Sequence, residues 1–419
     1  MVARPIAPGA TIAVVGAGIV GVTTAFALAE RGYRVTLYDR DAPGRTGPSF
    51  GNAGHVVGSA IFPLATPGIG MQGLRMLADP DGPLKVPTAY AARLAPWLWR
   101  FWRSSYGAAY ERSLAALIAL NAGLVEEAEA FYARAGVGQV ISRAPALYLY
   151  ESEQSYAAAR KDWAERERHG FHSTMVDAAG IRELEPNLAP IFARGVISHE
   201  WSIVTDPQEA VDALFEAARA RGVTYERQAV TRIAGSGDGA SVATGSAATR
   251  FDAVVVAAGV WSRPLADSLG EKLPVEAERG YNLTFPGLQS RINRPMVFAD
   301  RGVVATALIP GLRIGGWTEL GGTELPPTAR YWDKMREISA ALFPGLERAE
   351  AVQWMGHRPS MPDSVPVISR SSRNDAVFYA TGHGHYGLSQ STRTARAIVE
   401  LIADAADETW AAHSIRRFN

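Results

Sequence analysis

The sequence contains no cysteine among its 419 residues. This absence excludes disulfides, zinc–thiolate sites and redox-active dithiols, so any redox chemistry must come from a bound cofactor. The histidines lack the spacing of metal ligands, and we expect no metal site. Neither sign of charge is in excess, because 42 Lys and Arg balance 42 Asp and Glu. The balance therefore gives no indication of a nucleic-acid partner.

A long uncharged stretch is rare in this chain, and the one that stands out covers residues 5–29. Gly16, Gly18 and Gly21 interrupt it, and a strand-like segment follows at once, so we interpret it as part of a soluble fold. A signal peptide or a membrane span would lack these interruptions. We therefore expect a cytoplasmic protein.

The N-terminal region has the pattern of a βαβ unit. Residues 11–15 form a short apolar run typical of a buried parallel strand, residues 19–30 predict a helix, and residues 34–39 predict a second strand. The motif Gly16-Ala17-Gly18-Ile19-Val20-Gly21 lies between the first strand and the helix, and Asp39 ends the second strand. Glycines at this spacing allow a pyrophosphate to approach the helix N-terminus, and Asp39 can accept hydrogen bonds from a ribose. The unit predicts a dinucleotide site, although the motif alone does not distinguish NAD from FAD.

Two further small-residue segments favour FAD. Residues 49–55, which include Ser49, Asn52 and Gly54, form a loop able to lie flat against a bulky ring system. A second motif, Gly382-His383-Gly384-His385-Tyr386-Gly387, follows a predicted strand and precedes a helix that reaches about residue 403. No strand pattern and acid follow it, as a second nucleotide fold would require. We interpret it as a helix N-terminus that faces the pyrimidine edge of a flavin.

The remaining regions predict a second domain. Helices dominate residues 60–200, a helix capped by Asp206 and Pro207 begins the next region, and residues 280–317 alternate as in an antiparallel sheet. Arg358, in the sequence Gly356-His357-Arg358-Pro359, is placed to bind a carboxylate, with a structural ion pair as the alternative. The basic aromatic segment at residues 96–103 either touches a membrane surface peripherally or lines a core or ligand channel.

Together these segments resemble the D-amino-acid oxidase and dehydrogenase superfamily of FAD-dependent oxidoreductases over nearly the whole chain. The chain is most similar to bacterial D-amino-acid dehydrogenases in the loop at Asn52, the aromatic segment at residues 96–99 and the turn at Gly382. The resemblance implies an α/β fold with a Rossmann-like FAD-binding domain and an α+β substrate domain built on an antiparallel sheet. We assign residues 1–60, 201–272 and 352–419 to the first domain, and residues 61–200 and 273–351 to the second.

The resemblance and the motifs predict two sets of site residues. The predicted catalytic residues are Arg358, Tyr281, His385 and His55. Glycine oxidase has an arginine where this chain has His385. The predicted cofactor-binding residues are Gly16, Ala17, Gly18, Ile19, Val20, Gly21, Asp39, Arg40, Ser49, Asn52, Ala53, Gly54, Val230, Ala258, Gly259, Gly382, His383, Gly384, Gly387 and Leu388.

The function that the resemblance implies belongs to amino acid catabolism. A hydride passes from Cα of a small amino acid, expected to be a D-amino acid, to flavin N5, and the imino acid is hydrolysed to a 2-oxo acid. Oxygen or a quinone-type compound then accepts the electrons. The alternatives are oxidation of proline, hydroxyproline or an N-methyl amino acid, a non-catalytic dinucleotide-binding protein, and an NAD-linked dehydrogenase. The oligomeric state stays open.

Overall fold

The computed structural model describes residues 5–69, 84–236, 238–405 and 408–419. Residues 1–4 and 70–83 of the two predicted domains therefore lie outside the described residues. No helix in the described ranges combines the length and the apolar character that crossing a membrane requires. The helices are α1 (Ile19–Glu30), α2 (Thr88–Ser104), α3 (Gly107–Asn121), α4 (Leu124–Arg134), α5 (Glu153–Arg168), α6 (Ala178–Leu184), α7 (Pro207–Ala220), α8 (Ser262–Asp267), α9 (Arg330–Leu342) and α10 (Gly387–Ile402).

A six-stranded sheet carries the N-terminal glycine turn. Its strand order is β10-β2-β1-β14-β21-β20, and all neighbours are parallel except the edge strand β20. Helix α1 packs against α7 and α10 on one face of this sheet. The strands are β1 (Thr11–Val15), β2 (Arg34–Asp39), β10 (Thr224–Arg227), β14 (Ala253–Val256), β20 (Val367–Arg370) and β21 (Val377–Thr381).

A larger, mainly antiparallel sheet forms the second layer, in the order β19-β15-β18-β17-β16-β6-β8-β7, with β4 paired to β18. Helix α9 packs on β15 and β18 to close an apolar core. Its strands are β4 (Leu84–Lys85), β6 (Ala146–Tyr150), β7 (Ser173–Asp177), β8 (Arg194–Ser198), β15 (Glu276–Phe285), β16 (Met296–Phe298), β17 (Val303–Leu308), β18 (Gly311–Leu320) and β19 (Val352–Ser360).

Two small sheets complete the described fold. One sheet has the strand order β3-β9-β5, and the other is the meander β11-β12-β13. Their strands are β3 (His55–Val57), β5 (Ile141–Arg143), β9 (Trp201–Val204), β11 (Arg232–Ser236), β12 (Gly239–Thr244) and β13 (Ala247–Phe251).

Several elements match the sequence predictions to the residue. Strands β1 and β2 and helix α1 have the predicted bounds. Helix α7 begins after Asp206, whose side chain accepts hydrogen bonds from the backbone N–H groups of Gln208 and Glu209, and Pro207 occupies its first turn. These elements carry complete local signals, because caps, glycines and apolar periodicity agree there.

Two regions differ from the expectation. Residues 60–200 contain the strands β6, β7 and β8 besides their helices, and these strands become stable only by pairing with one another and with β16. Strand β19 pairs with β15 in the large sheet, so the boundary drawn at residue 352 divides that sheet. Both differences arise from strand pairing between distant segments, which no local pattern specifies.

Candidate active site

The carboxyl ends of three adjacent parallel strands meet at one edge of the six-stranded sheet. Gly16 follows β1, Ala258 lies just beyond β14, and Gly382 follows β21. In sheets of this kind the crevice outside the carboxyl ends is where ligands bind. A cavity of about 1200 Å³ opens there and extends beneath the large sheet, which is larger than the roughly 300–1,000 Å³ usual for small-molecule sites.

The N-terminal glycine turn forms one end of this cavity. Gly16 has φ +109°, and a Cβ on it would lie 2.4 Å from the Ala257 carbonyl oxygen, so only glycine fits the turn. Asp39 accepts a hydrogen bond of 2.6 Å from the backbone N–H of Ala17, and Ser49 Oγ accepts one of 3.1 Å from Ile19 N. The side chains of Asp39 and Ser49 therefore hold the start of α1 toward the cavity.

The loop at residues 49–55 is fastened from the second layer. Asn282 Nδ2 donates a hydrogen bond of 2.8 Å to the Gly51 carbonyl, and Arg313 Nη1 donates one of 2.5 Å to the Asn52 carbonyl. Burial lowers the pKa of Arg313 to about 10, which still leaves the guanidinium charged at neutral pH. His55 is the last residue of the loop, and its Nε2 contacts Thr306 Oγ1. The loop is thus held in place by two hydrogen bonds from the second layer, of which the one from Arg313 is charge-assisted.

The C-terminal glycine turn also lines this cavity. Gly384 N donates a hydrogen bond of 2.8 Å to the Pro359 carbonyl at the end of β19. Ser389, in the first turn of α10, donates through Oγ to the His55 carbonyl at 3.0 Å and accepts from Val57 N at 3.1 Å. These bonds join the turn both to the loop at residues 49–55 and to the large sheet, and both glycine-rich turns line the same cavity.

A partly buried ion pair lies on the cavity wall. Arg358 Nη1 is 2.9 Å from Glu278 Oε1, and their side chains are 22% and 6% exposed. Ser360 Oγ donates a 2.7 Å hydrogen bond to the other carboxylate oxygen. Strands β15 and β19 place Glu278 directly opposite Arg358. The guanidinium occupies the space over Gly280, where an added Cβ would lie 2.3 Å from Arg358 Cζ.

A backbone irregularity completes the surroundings of Arg358. The pairing of β15 with β18 shifts register at Gly280 and Tyr281, and Trp317 adopts φ +46° at the bulge. Arg358 Nη2 donates to the Gly316 carbonyl at 3.3 Å. A non-glycine residue in this region of backbone space is costly and is found at functional sites. The bulge turns carbonyl groups toward the cation and fixes its orientation.

His385 faces this pair and is neutral near pH 7. Its pKa is lowered to about 4, mainly by burial; Glu278 opposes this shift and the nearby Arg358 adds to it. Burial alone would raise the pKa of Glu278, but Arg358, His385 and Ser360 outweigh it and hold the pKa below its usual range. The cluster therefore combines one cation, one anion and a neutral imidazole, and is neutral overall.

Two polar atoms on the cavity wall that lack a hydrogen-bond partner among the described residues fit a site for a flavin nucleotide. Asn282 Oδ1 and Trp317 Nε1 are buried on the cavity wall without a partner among the described residues, and such groups cost free energy unless a ligand satisfies them. A model of the family described as FAD dependent oxidoreductase matches residues 11–401. The chain belongs to this family. FAD is therefore its cofactor, and no group of three or more metal-ligating side chains occurs in the described ranges.

Relatives and solved structures show which oxidoreductases this chain is similar to. It is 33% identical over 405 residues to a D-amino-acid oxidase of Bradyrhizobium diazoefficiens, covering 94% of this chain and 95% of the relative. It is 29% identical over 399 residues to a D-amino acid dehydrogenase of Neisseria meningitidis, with the same coverage. Glycine oxidase from Geobacillus kaustophilus superposes with a TM-score of 0.74 at 20% identity, covering 97% of this chain and 98% of that chain.

The cavity brings together most of the predicted site residues of the oxidoreductase. Four predicted cofactor residues, Ala17, Gly21, Gly54 and Gly382, do not line it, and they act in the packing of the turns around it. The predicted residues that line the cavity are Gly16, Gly18, Ile19, Val20, Asp39, Arg40, Ser49, Asn52, Ala53, His55, Val230, Ala258, Gly259, Tyr281, Arg358, His383, Gly384, His385, Gly387 and Leu388.

The structure gives buried hydrogen-bond partners to Tyr281 and His55, which the sequence suggested as catalytic residues. The Tyr281 hydroxyl donates a 2.6 Å hydrogen bond to Glu319, and its side chain is 1% exposed. Its hydroxyl is therefore committed to a buried pair between Glu319 and Arg279. His55 is bonded to Thr306, and burial lowers its pKa to about 3. Both side chains support the cavity wall.

Sequence reasoning missed Glu278, Arg166 and Tyr386. Glu278 stands two residues before Gly280 in a strand whose partner is 80 residues further along the chain, so its position opposite Arg358 follows from register alone. Arg166 lies on α5, within a helix rich in charged residues, and Tyr386 lies inside the second glycine motif. The only local signal among these is the tyrosine within the motif.

Four histidines with lowered pKa values make stability depend on pH. Burial lowers the pKa of His55 and His383 to about 3, and that of His385 and His413 to about 4, from 6.5. Between pH 6.5 and 4 the unfolded chain binds more protons, so stability present above pH 6.5 is lost as pH falls. Each histidine contributes a slope of about 1.4 kcal/mol per pH unit. Denaturant unfolding at pH 7.5, 6 and 5 measures it.

The variants His413→Asn and His172→Asn separate this effect from general acid sensitivity. His413 is fully buried and lies outside the cavity lining, whereas the side chain of His172 is 71% exposed. We expect the first variant to have a shallower dependence and the second to keep that of the parent. A free energy of unfolding that stays constant from pH 7.5 to 5 would contradict the expectation.

Proposed function

We propose that the chain oxidises a small D-amino acid at its Cα–N bond and releases an imino acid, which water hydrolyses to a 2-oxo acid and ammonia. The two relatives named for D-amino acids, at 33% and 29% identity, support the substrate class. The single observation that carries the proposal is the ion pair of Arg358 and Glu278 on the cavity wall. A cation and an anion side by side complement the carboxylate and ammonium of a zwitterion.

Arg358 has the capacity to hold the substrate carboxylate in this arrangement. Glu278 takes part of its hydrogen-bonding capacity, but a guanidinium carries five N–H donors in a planar fork. Since the side chain is 22% exposed, donors remain directed at the cavity. Glu278, whose pKa is lowered, stays ionised and can accept a hydrogen bond from the substrate ammonium. The pair thus orients both groups attached to Cα.

Neither Glu278 nor His385 is a strong base, since the pKa of each is lowered. The amine therefore has to react in its neutral form, with its proton lost to solvent before the Cα–H bond breaks. FAD, when bound, supplies the ring that accepts the hydride. The first turn of α10 lies on the cavity wall, and its N-terminal backbone dipole favours negative charge there. Positioning supplies most of the catalysis.

Anaerobic bleaching of the flavin absorbance tests this function. The purified holoprotein is mixed with D- and L-enantiomers of alanine, methionine, glutamine, glutamate and proline, and with N-methylalanine, in the absence of oxygen. We expect D-enantiomers of primary amino acids to reduce the flavin and to yield the 2-oxo acid and ammonia. Bleaching by proline or N-methylalanine alone would indicate that the substrate is a secondary amine. A flavin that no compound bleaches would indicate a non-catalytic binding protein.

The electron acceptor is part of the same proposal. Trp99 and Trp102 on α2 are 58% and 41% exposed and stack on each other, and Trp102, Leu98 and Trp97 line the cavity. We propose that the acceptor approaches past α2 and that this aromatic surface makes peripheral contact with a membrane. Adding air, a water-soluble quinone, or a quinone in lipid vesicles to the bleached enzyme compares the acceptors. Fast reoxidation by air alone would exclude the membrane contact as a requirement.

A further inference from the structure

We infer that Arg166 forms a second anion site in the cavity, which binds a side-chain carboxylate and makes an acidic amino acid the preferred substrate. This inference rests on the proposed amino acid oxidation. Arg166 lies on α5, and its side chain lines the same cavity as Arg358. The two arginines differ in their partners, and this difference carries the argument.

Arg358 is already neutralised, whereas Arg166 is not. Among the described residues no carboxylate lies within ion-pairing distance of Arg166, and its one hydrogen bond runs from Nε to the Ser59 carbonyl at 3.0 Å. Both Nη nitrogens therefore keep their donors for another group. A guanidinium that lines a partly apolar cavity and has no anionic partner strongly attracts a carboxylate. It can bind that carboxylate through two parallel hydrogen bonds.

The guanidinium of Arg166 is also held in one orientation. It lies 4.7 Å from the ring centroid of Phe62 and 4.7 Å from that of Trp163. Ser59, whose carbonyl it binds, is itself fixed by hydrogen bonds of its hydroxyl with Ser198 at 3.0 Å and Trp201 at 3.1 Å. Stacking and a fixed acceptor reduce the entropy that Arg166 would lose on binding an anion. Such preorganisation is typical of a recognition site and unusual for a solvated surface arginine.

Tyr386 connects the two arginines. Its side chain lines the cavity together with Arg166, Glu278 and Arg358, and it packs with Tyr148 against the apolar cluster that contains Trp201. Burial raises the pKa of Tyr148, which also lines the cavity, and the nearby charge of Arg166 opposes that rise. Arg166, the Arg358–Glu278 pair and these two tyrosines therefore line the same cavity. A substrate that places its α-carboxylate and α-ammonium at the pair can extend its side chain along Tyr386 toward Arg166.

The test compares glutamate with glutamine, of the enantiomer that bleaches the flavin, because the two side chains are nearly isosteric and differ in charge. We expect kcat/KM to favour glutamate by about tenfold or more, the size of a charge-assisted hydrogen bond. Arg166→Gln should reduce this ratio to near one, and Arg166→Lys should retain part of it. Arg160→Gln, an exposed arginine on the same helix, is the matched control and should keep the ratio.

Binding of glutarate and butyrate to the holoprotein, followed by perturbation of the flavin spectrum, gives a second measurement that needs no turnover. We expect glutarate to bind more tightly, and Arg166→Gln to remove the difference. A parent enzyme that bleaches with glutamine as readily as with glutamate would overturn the second anion site and leave the proposed function intact. An Arg166→Gln variant that loses glutamine and glutamate activity by the same factor would also overturn it. If no amino acid bleaches the flavin, the proposed function itself fails.

Discussion

Replacing Arg358 with alanine is expected to lower kcat/KM for the reactive amino acid by about 30- to 5,000-fold, which corresponds to about 2–5 kcal/mol. Two losses add up in this variant. The substrate carboxylate loses its partner, and Glu278, whose side chain is 6% exposed, becomes a buried anion without a cation. Steady-state kinetics, measured with the electron acceptor that the parent enzyme uses, quantify the effect. Turnover close to that of the parent would remove Arg358 from the site.

Further variants separate the two losses. The double variant Arg358→Ala and Glu278→Gln removes the buried unpaired charge but does not restore the contact with the substrate carboxylate. It should therefore recover stability without recovering kcat/KM. Arg358→Lys keeps the charge as a single point and should be intermediate, because lysine lacks the planar fork. Arg143→Ala removes a surface arginine that pairs with Glu126 and Glu129 and is 39% exposed. This control should leave kcat/KM unchanged.

Gly21→Ala is expected to produce a protein that no longer retains FAD. A Cβ on Gly21 would lie 1.7 Å from the Gly16 carbonyl oxygen. Neither atom can rotate away, because the oxygen belongs to the backbone and the backbone fixes the position of the Cβ. Either α1 moves off the turn or the turn opens, and each change disturbs the backbone that faces the pyrophosphate. Overpacking of this kind costs about 3 kcal/mol or more, hence about a hundredfold in affinity. The flavin-to-protein absorbance ratio after purification measures it.

Gly47→Ala provides the matched control for this variant. Gly47 also lines the cavity, yet no atom lies within 4 Å of a Cβ built on it. The same chemical change is therefore expected to leave the flavin content at the parent level. Circular dichroism of both variants reports whether the fold survives. A Gly21→Ala protein with a full complement of flavin would show that the close approach to Gly16 is not required.

The sequence by itself specified the nucleotide half of the molecule. The glycine turn, α1 and β2 were predictable because a βαβ unit is local, and each of its signals lies within about thirty residues. The Asp206 cap and helix α7 were predictable for the same reason. The strands in residues 60–200 were not, since β6, β7 and β8 are ordered by pairing with one another and with β16, which no local pattern specifies.

The candidate site divides in the same way. The sequence determined which glycine turns exist, which cofactor family they suit, and that Arg358 stands at the end of a strand. Only the tertiary structure decided that Glu278 faces Arg358 across two strands, that the Tyr281 hydroxyl is bonded to Glu319, and that Arg166 shares the cavity without a carboxylate partner among the described residues. The physical reason is that turns and caps are set by neighbouring residues, whereas the partner of a charge is set by strand register and packing between segments far apart in the chain.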